Sequence, residues 1–265
     1  MSAHENIYEK QRSKRAAFFD VDNTLIKGSS LYFLSRGMYS RGFFNKRDIL
    51  AFVLANLRFK LSGEKNQGEV DRIQSAGMRI AKGKKVDEML ALGDEVYYKY
   101  VTPALWAGTL DIAKKHMEQG EDVWLVTATP VEVAHLIAQH LGLTGGVGTI
   151  AEKMNGEYTG NICGNLLHGK EKAIAVEKLA DEHGYDLSQC YAYSDSHNDF
   201  PLLETVGHPR AINPDALLRM RAAKEEWPIY DFRRVRWLTS SVAPVINRAA
   251  ALAGAMNANL KKRRK

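Results

Sequence analysis

Two clusters of acidic residues follow short apolar runs. Asp20-Val21-Asp22-Asn23-Thr24 comes after Ala16-Ala17-Phe18-Phe19, and Ser194-Asp195-Ser196-His197-Asn198-Asp199 comes after Cys190-Tyr191-Ala192-Tyr193. An apolar run ending in polar residues is the pattern of a buried strand whose C-terminal end carries chemistry. Carboxylates two positions apart on a strand face opposite sides, but a chain leaving the strand can turn both toward a common site. Asp20 and Asp22 are thereby able to share one substrate. A carboxylate can attack phosphorus and form an aspartyl phosphate, while a second serves the leaving group and the water as general acid and base. Asp20 repels a dianionic phosphate, so the chemistry requires a cation. Mg²⁺ held by carboxylates neutralises the charge and fixes the in-line geometry, and Asp195 and Asp199 are the candidates for holding it.

The elements that must position these groups follow from the hydrophobic pattern. Asp122 to Val126 reads as a second strand, ending in Thr127-Ala128-Thr129-Pro130. Val131 to Leu141 follows, with Val133, Leu136, Ile137 and Leu141 at helical spacing and Pro130 suited to the first turn. Helical patterns at 103–119 and 170–183 precede the second and third strands. This alternation predicts a parallel sheet with helices on both faces, where ligands bind at the carboxyl ends of the strands. From Ser29 to Tyr100 the pattern is helical without a strand signal, which predicts a small helical bundle inserted after the first strand. Asn155-Gly156 predicts a two-residue hairpin turn.

Asp20-Val21-Asp22-Asn23-Thr24-Leu25, Thr127 after an apolar strand, a lysine near position 170, and Ser194 to Asp199 occur in that order. This resembles the haloacid dehalogenase superfamily of phosphatases, and the helical insert resembles its subfamily IB, the branch containing phosphoserine phosphatase. The resemblance implies an α/β fold: a Rossmann-like parallel sheet with helices on both faces plus an inserted all-helical cap. It places the core at 16–28 and 101–231 and the cap at 29–100, leaving an N-terminal extension, 1–15, and a basic C-terminal helix and tail, 232–265. It further implies that Asp20 is the nucleophile and Asp22 the general acid and base. Asp20 and Asp22, the latter through its backbone carbonyl, would contact Mg²⁺ with Asp195, and Asp199 would orient the metal shell. Thr127 and the backbone near Ala128 would bind phosphate oxygens, Asn198 would reach phosphate or substrate, and Lys172, or else Lys170, would balance the nucleophile's charge. Two departures bear on substrate. Ser29 stands where phosphoserine phosphatases carry a glutamate, and the cap stretch from Ile73 to Arg79 lacks an arginine directly after a Ser-Leu pair.

Plainer readings exist for each residue. Asp20 and Asp22 suit a strand-end turn, Asp195 and Asp199 the start of a helix, Thr127 a helix cap, and Lys172 a solvated helix face. His197 is not expected to bind metal, since its neighbours supply the carboxylates a hard cation prefers. His168 and His208 are expected at the surface or in turns.

Composition bounds the remainder. At 265 residues, 45% hydrophobic and 26% charged, the chain is of ordinary globular type, which excludes disordered and fibrous classes. Cys163 and Cys190 lack the short spacings of a zinc site or disulfide framework, so a reducing compartment is expected. The stretch 1–15 has no apolar run of signal-peptide type, and 238–256 is too interrupted to span a membrane. The net charge is +6, yet residues 231–265 hold nine Lys or Arg against the single acid Asp231, so the rest is slightly acidic and no nucleic-acid partner is expected. Val242, Val245, Ile246, Ala249, Leu252, Ala253, Met256 and Leu260 fall on one helical side before the terminal basic run, a pattern suited to weak contact with an anionic membrane. The expected protein is therefore a cytoplasmic, at most membrane-peripheral, Mg²⁺-dependent phosphomonoester hydrolase of phosphoserine-phosphatase type acting on a small molecule. The alternatives are a phosphatase of lipid-linked or glycerol phosphates, a phosphotransferase with the same active groups, and a catalytically silent binding module.

Overall fold

The strand that carries Asp20 is an unbroken apolar run because it lies at the centre of a sheet covered on both faces. In the computed structural model, which describes residues 15–43 and 81–233, Ala16–Phe19 (β1) is wholly buried. It pairs in parallel with Asp122–Pro130 (β2) on one side and Tyr191–Ser194 (β5) on the other. Gly145–Met154 (β3), Glu157–Cys163 (β4), His208–Ile212 (β6) and Ile229–Tyr230 (β7) complete a seven-stranded sheet of order β4-β3-β2-β1-β5-β6-β7. β3 and β6 continue the parallel arrangement, and β4 is antiparallel to β3. Asn155 and Gly156, at φ 53° and 81°, make the turn between them, as the Asn-Gly pair predicts.

The described helices are Ser30–Ser40 (α1), Val86–Val96 (α2), Ala107–Glu118 (α3), Val131–Leu141 (α4), Lys170–His183 (α5), Phe200–Thr205 (α6) and Ala216–Lys224 (α7). Alternation along β1 separates two cores. Ala16 and Phe18 pack with Val176 and Leu179 of α5, Leu202 and Leu203 of α6 and Leu218 of α7. Phe19 turns to the other face, stacked on Tyr193 at 4.2 Å and edge-on to His116 of α3. Helices on both faces of a mainly parallel sheet are thus the α/β architecture expected.

The described parts of the 29–100 stretch are helical. α1 and α2 cross closely at Gly37, where a Cβ would lie 2.2 Å from Val96 Cγ2. A π turn, Tyr97–Val101, and a 3₁₀ turn, Thr102–Ala104, then lead back to the sheet. The cap segment from Ile73 to Arg79, the stretch 1–14 and the C-terminal amphipathic stretch lie outside the described residues. The chain divides into a unit Met1–Ile229 and a second, Tyr230–Lys265. In the described part of the second, Arg233 pairs with Asp231 at 2.8 Å. No helix among the described residues is long and apolar enough to cross a membrane.

Three local expectations differ from the structure. Thr127 to Pro130 prolongs β2 instead of ending it, because β2 rejoins β3 at Pro130 and Thr149 after a shift in register. Pro130, not Thr127, is then the residue preceding α4. His208 begins β6 and stacks on Tyr191 at 4.6 Å, so it belongs to a strand instead of a turn.

Candidate active site

All three acidic and hydroxyl clusters lie at carboxyl ends of the central strands β1, β2 and β5. After β1 the chain makes a tight turn, with Leu25 N–H and Ile26 N–H both donating to Val21 O at 3.0 Å. A wider loop is closed by Asn23 N–H donating to Gly28 O and Gly28 N–H donating to Asn23 Oδ1, each at 3.1 Å. Gly28 stands at φ 108°, a backbone conformation that L side chains rarely adopt. This loop takes Asp20 and Asp22 out of strand alternation.

Asp20 is 5% exposed, and its N–H donates to Tyr193 O at 2.9 Å, which anchors it between β1 and β5. Lys172, in the first turn of α5 and 3% exposed, donates from Nζ to Asp20 Oδ1 at 2.6 Å and to Asp199 Oδ2 at 2.8 Å. Lys170 is exposed. Ser194 Oγ also donates to Asp199 Oδ2, at 2.7 Å, and accepts from Ser196 N–H at 3.1 Å. Two buried acids therefore share one ammonium.

Electrostatics follow from that imbalance. Burial pushes the Asp20 carboxyl up to about 8; Lys172 opposes this, while Asp199, Asp195 and Asp22 add to it. Burial first, then the Asp199 charge, pushes Asp195 up to about 7 against the opposing pull of Lys172. Burial disfavours the charged form of Lys172, but Asp199 and Asp20 more than offset it and raise its pKa above the ordinary lysine value.

The other candidates occupy distinct positions. Asp22 Oδ1 accepts from both Ser30 N–H, at 2.8 Å, and Ser30 Oγ, at 2.6 Å, at the start of α1. Asp195 Oδ1 accepts from Thr24 Oγ1 at 3.4 Å. Thr127 and Thr129 are buried, their hydroxyls 3.0 Å apart, and Ala128 O accepts from Thr149 Oγ1 at 2.8 Å. Asn198 does not reach Asp20; its side-chain amide donates to Ser196 Oγ at 3.2 Å. His197 points to Asp215, with Nδ1 at 2.8 Å from Oδ2. Asp199 precedes α6 but makes no capping hydrogen bond, its carboxylate being turned to Lys172 and Ser194. Ser30, which holds Asp22, was not among the sequence candidates, and Ser194, which holds Asp199, was named in its cluster without a role. A hydroxyl opening a helix soon after the acidic cluster was the available signal for Ser30.

Among the described residues no three His, Cys, Asp or Glu side chains converge as a metal site. The donor set still suits a hard cation: burial first, and then neighbouring carboxylates in excess of Lys172, hold protons on Asp20 and Asp195 that a cation could replace. Backbone and solvent oxygens would have to complete the shell.

A mainly parallel α/β sheet with a buried, lysine-paired aspartate at its central strand end, beside an acid pair that follows the neighbouring strand, defines a hydrolase built around a carboxylate. The model of the haloacid dehalogenase-like hydrolase family matches residues 17–204, and the chain belongs to that family, among its phosphatases. It is 44% identical over 243 residues to the Mycobacterium tuberculosis phosphoserine phosphatase SerB1, covering 92% of this chain and 79% of that protein. It is 26% identical over 224 residues to a histidinol-phosphatase of Neisseria meningitidis, covering 83% of this chain and all of that one. Among solved structures, a Bordetella pertussis protein of unknown function superposes with a TM-score of 0.73 at 28% identity, covering 82% of this chain and 98% of that one.

Proposed function

We propose that the chain hydrolyses a phosphomonoester through an aspartyl phosphate on Asp20. The observation that carries this reading is the environment of Asp20. Lys172 holds one carboxylate oxygen at 2.6 Å, and no described residue donates to the other. That second oxygen is the attacking atom, and Lys172 fixes the orientation of the carboxylate. Asp22, held on one oxygen by Ser30, keeps its other oxygen for proton transfer. It protonates the leaving alcohol and then takes a proton from the water that cleaves the acyl phosphate. Thr127, with the backbone around Ala128, receives phosphate oxygens. Asp20, the Asp22 carbonyl and Asp195 would hold Mg²⁺, with Asp199 positioning Lys172 and the surrounding shell. When bound, the cation would supply the charge neutralisation that lets a dianion approach Asp20.

The family does not set the leaving group, since relatives carry names for two different phosphate esters. A phosphoserine-like small molecule is the substrate class this reading favours. Phosphate release from phosphoserine, glycerol phosphate, sugar phosphates and p-nitrophenyl phosphate, with Mg²⁺ or chelator, tests it on the native chain and on Asp20→Asn. Release that requires both Asp20 and Mg²⁺ is expected. A folded chain that releases no phosphate and forms no Asp20-dependent complex with beryllium fluoride would overturn it.

A further inference from the structure

The loop between β6 and α7 carries none of the groups given a role in the reaction above, yet it is bonded to both loops that carry the acids. Asn213, directly after β6, is 4% exposed, and its side-chain amide donates to Asn23 O at 3.2 Å. Two residues on, Asp215 N–H donates to Asp195 O at 2.8 Å, and Asp215 Oδ2 accepts from His197 N–H at 2.9 Å. The sheet order places β5 between β1 and β6. A bond from the end of β6 to the loop after β1 therefore crosses the end of β5, where Asp195 follows Ser194.

Both residues of this bond stand in an uncommon backbone state. Asn213 is at φ 48° and Asn23 at φ 57°, in the left-handed region that residues other than glycine seldom enter and that asparagine tolerates better than most. Such a conformation costs stability and persists where the surroundings over-determine it. Asn23 is also the residue that closes the loop after β1, its N–H bonded to Gly28 O and its Oδ1 to Gly28 N–H. Asn213 takes the remaining backbone group of Asn23, the carbonyl. From the next residue, Thr24 Oγ1 reaches Asp195 Oδ1 at 3.4 Å. The backbone that follows Asp22 is thus tied both to β6 and to Asp195.

We propose that Asn213 is a positioning residue for the cation: by fixing Asn23 it sets the direction of the Asp22 carbonyl relative to Asp195, and with it the affinity for Mg²⁺. The inference rests on the cation site of the phosphatase reading above and extends its support to the end of a further strand. Asn213 supplies no ligand of its own. It acts through Asn23, whose N–H belongs to the same peptide as the Asp22 carbonyl. Hydrogen-bonded partners of metal ligands tune affinity in this way.

Calorimetric titration of Mg²⁺ alone into the full, metal-free chain reads the affinity without turnover. Asn213→Gly keeps the positive φ and removes the amide, and Asn213→Ser carries a hydroxyl one bond too short to replace it. Each should raise the Mg²⁺ Kd by about tenfold or more, while KM for p-nitrophenyl phosphate at saturating Mg²⁺ stays within about twofold. Leu218→Ala opens a cavity under α7 but spares the amide, so it should lower the Tm and leave the Kd unchanged. An unchanged Kd in either Asn213 variant, or an equal rise in Leu218→Ala, overturns the proposal. Failure of both Asn213 variants to fold also overturns it, since the residue would then serve stability alone. A native chain that binds Mg²⁺ with an Asn213-dependent Kd but releases no phosphate removes the phosphatase reading and leaves this inference standing. A native chain that binds no Mg²⁺ removes the cation site, and the inference falls with it.

Discussion

Ser30 binds one oxygen of Asp22 twice, through its backbone N–H and its hydroxyl, at 2.8 and 2.6 Å. The contact joins the first turn of the helical insert to the acid after β1. It gives the carboxylate one committed oxygen and one available oxygen, which is the asymmetry a proton-transfer group needs. Removing the hydroxyl in Ser30→Ala leaves the N–H bond and loosens that orientation. A hydrogen bond to a charged group is worth roughly 1.5–3 kcal/mol, so kcat should fall about tenfold or more, with KM little changed. Ser30→Thr, which retains a hydroxyl, should recover part of the loss. Steady-state kinetics on p-nitrophenyl phosphate decide it, and an equal fall in both variants would reject the orienting role.

Lys172 bridges Asp20 and Asp199 with all three side chains buried. Lys172→Met would leave two carboxylates without their cation. Breaking a buried pair by removing one partner costs about 3–5 kcal/mol, and the variant should unfold at markedly lower urea concentration. Its deficit should shrink as the pH falls, because protonating the acids removes the uncompensated charge. A urea midpoint equal to that of the native chain at pH 8 would count against the bridge. Lys172→Arg should not restore activity, since a planar guanidinium cannot take the place of a compact ammonium between two acids.

Gly37 tests the insert's packing in a way that helix propensity alone would misjudge. Alanine in a helix interior is ordinarily better than glycine by about 1 kcal/mol. Here the added methyl would meet Val96 Cγ2 at 2.2 Å and Leu92 Cδ1 at 3.3 Å. Overpacking costs roughly 1–3 kcal/mol, so Gly37→Ala should destabilise the fold or open the crossing of α1 and α2. Denaturant unfolding of the variant gives the sign directly.

How much of this was legible beforehand differs by residue. β1, α4 and α5 begin and end where the hydrophobic pattern places them, because strong periodicity and adjacent turn residues mark those ends locally. The Asn155-Gly156 turn is likewise local, needing only two residues at positive φ. Asp20 and Asp195 could be named because acids at the ends of apolar runs are conspicuous. Glu132 could not: on the sequence it is one acid in the first turn of a helix, where glutamate is common. Only the long-range approach of Lys153 and Tyr158 buries its carboxylate and pairs it. The strand β6 was missed for a similar reason. His208 was expected at the surface or in a turn, and the strand character of its segment comes from pairing with β5.

The acids at the site also link stability to pH and, at the proposed cation site, to Mg²⁺. Burial pushes Asp20 from its ordinary 3.8 up to about 8, and Asp195 from the same value up to about 7. Between the unfolded and folded values, the native state holds protons that the unfolded chain has released. The sign of the linkage is then fixed: without metal, stability contributed by these groups falls as the pH rises from about 4 through 7 and 8, and levels off above. Mg²⁺ bound as proposed would replace the protons, so its stabilisation should grow across the same window. At a concentration one hundred times its Kd it would add about 2.7 kcal/mol, or about 5–10 °C in Tm for a chain of this size. Thermal melts at pH 5 and pH 8, each with Mg²⁺ or EDTA, should show a large shift at pH 8 and a small one at pH 5. Asp195→Asn should suppress the pH 8 shift while raising the Tm in EDTA, since it removes a charge that the metal-free site must otherwise protonate. A Mg²⁺ shift that persists undiminished in Asp195→Asn would place the cation elsewhere.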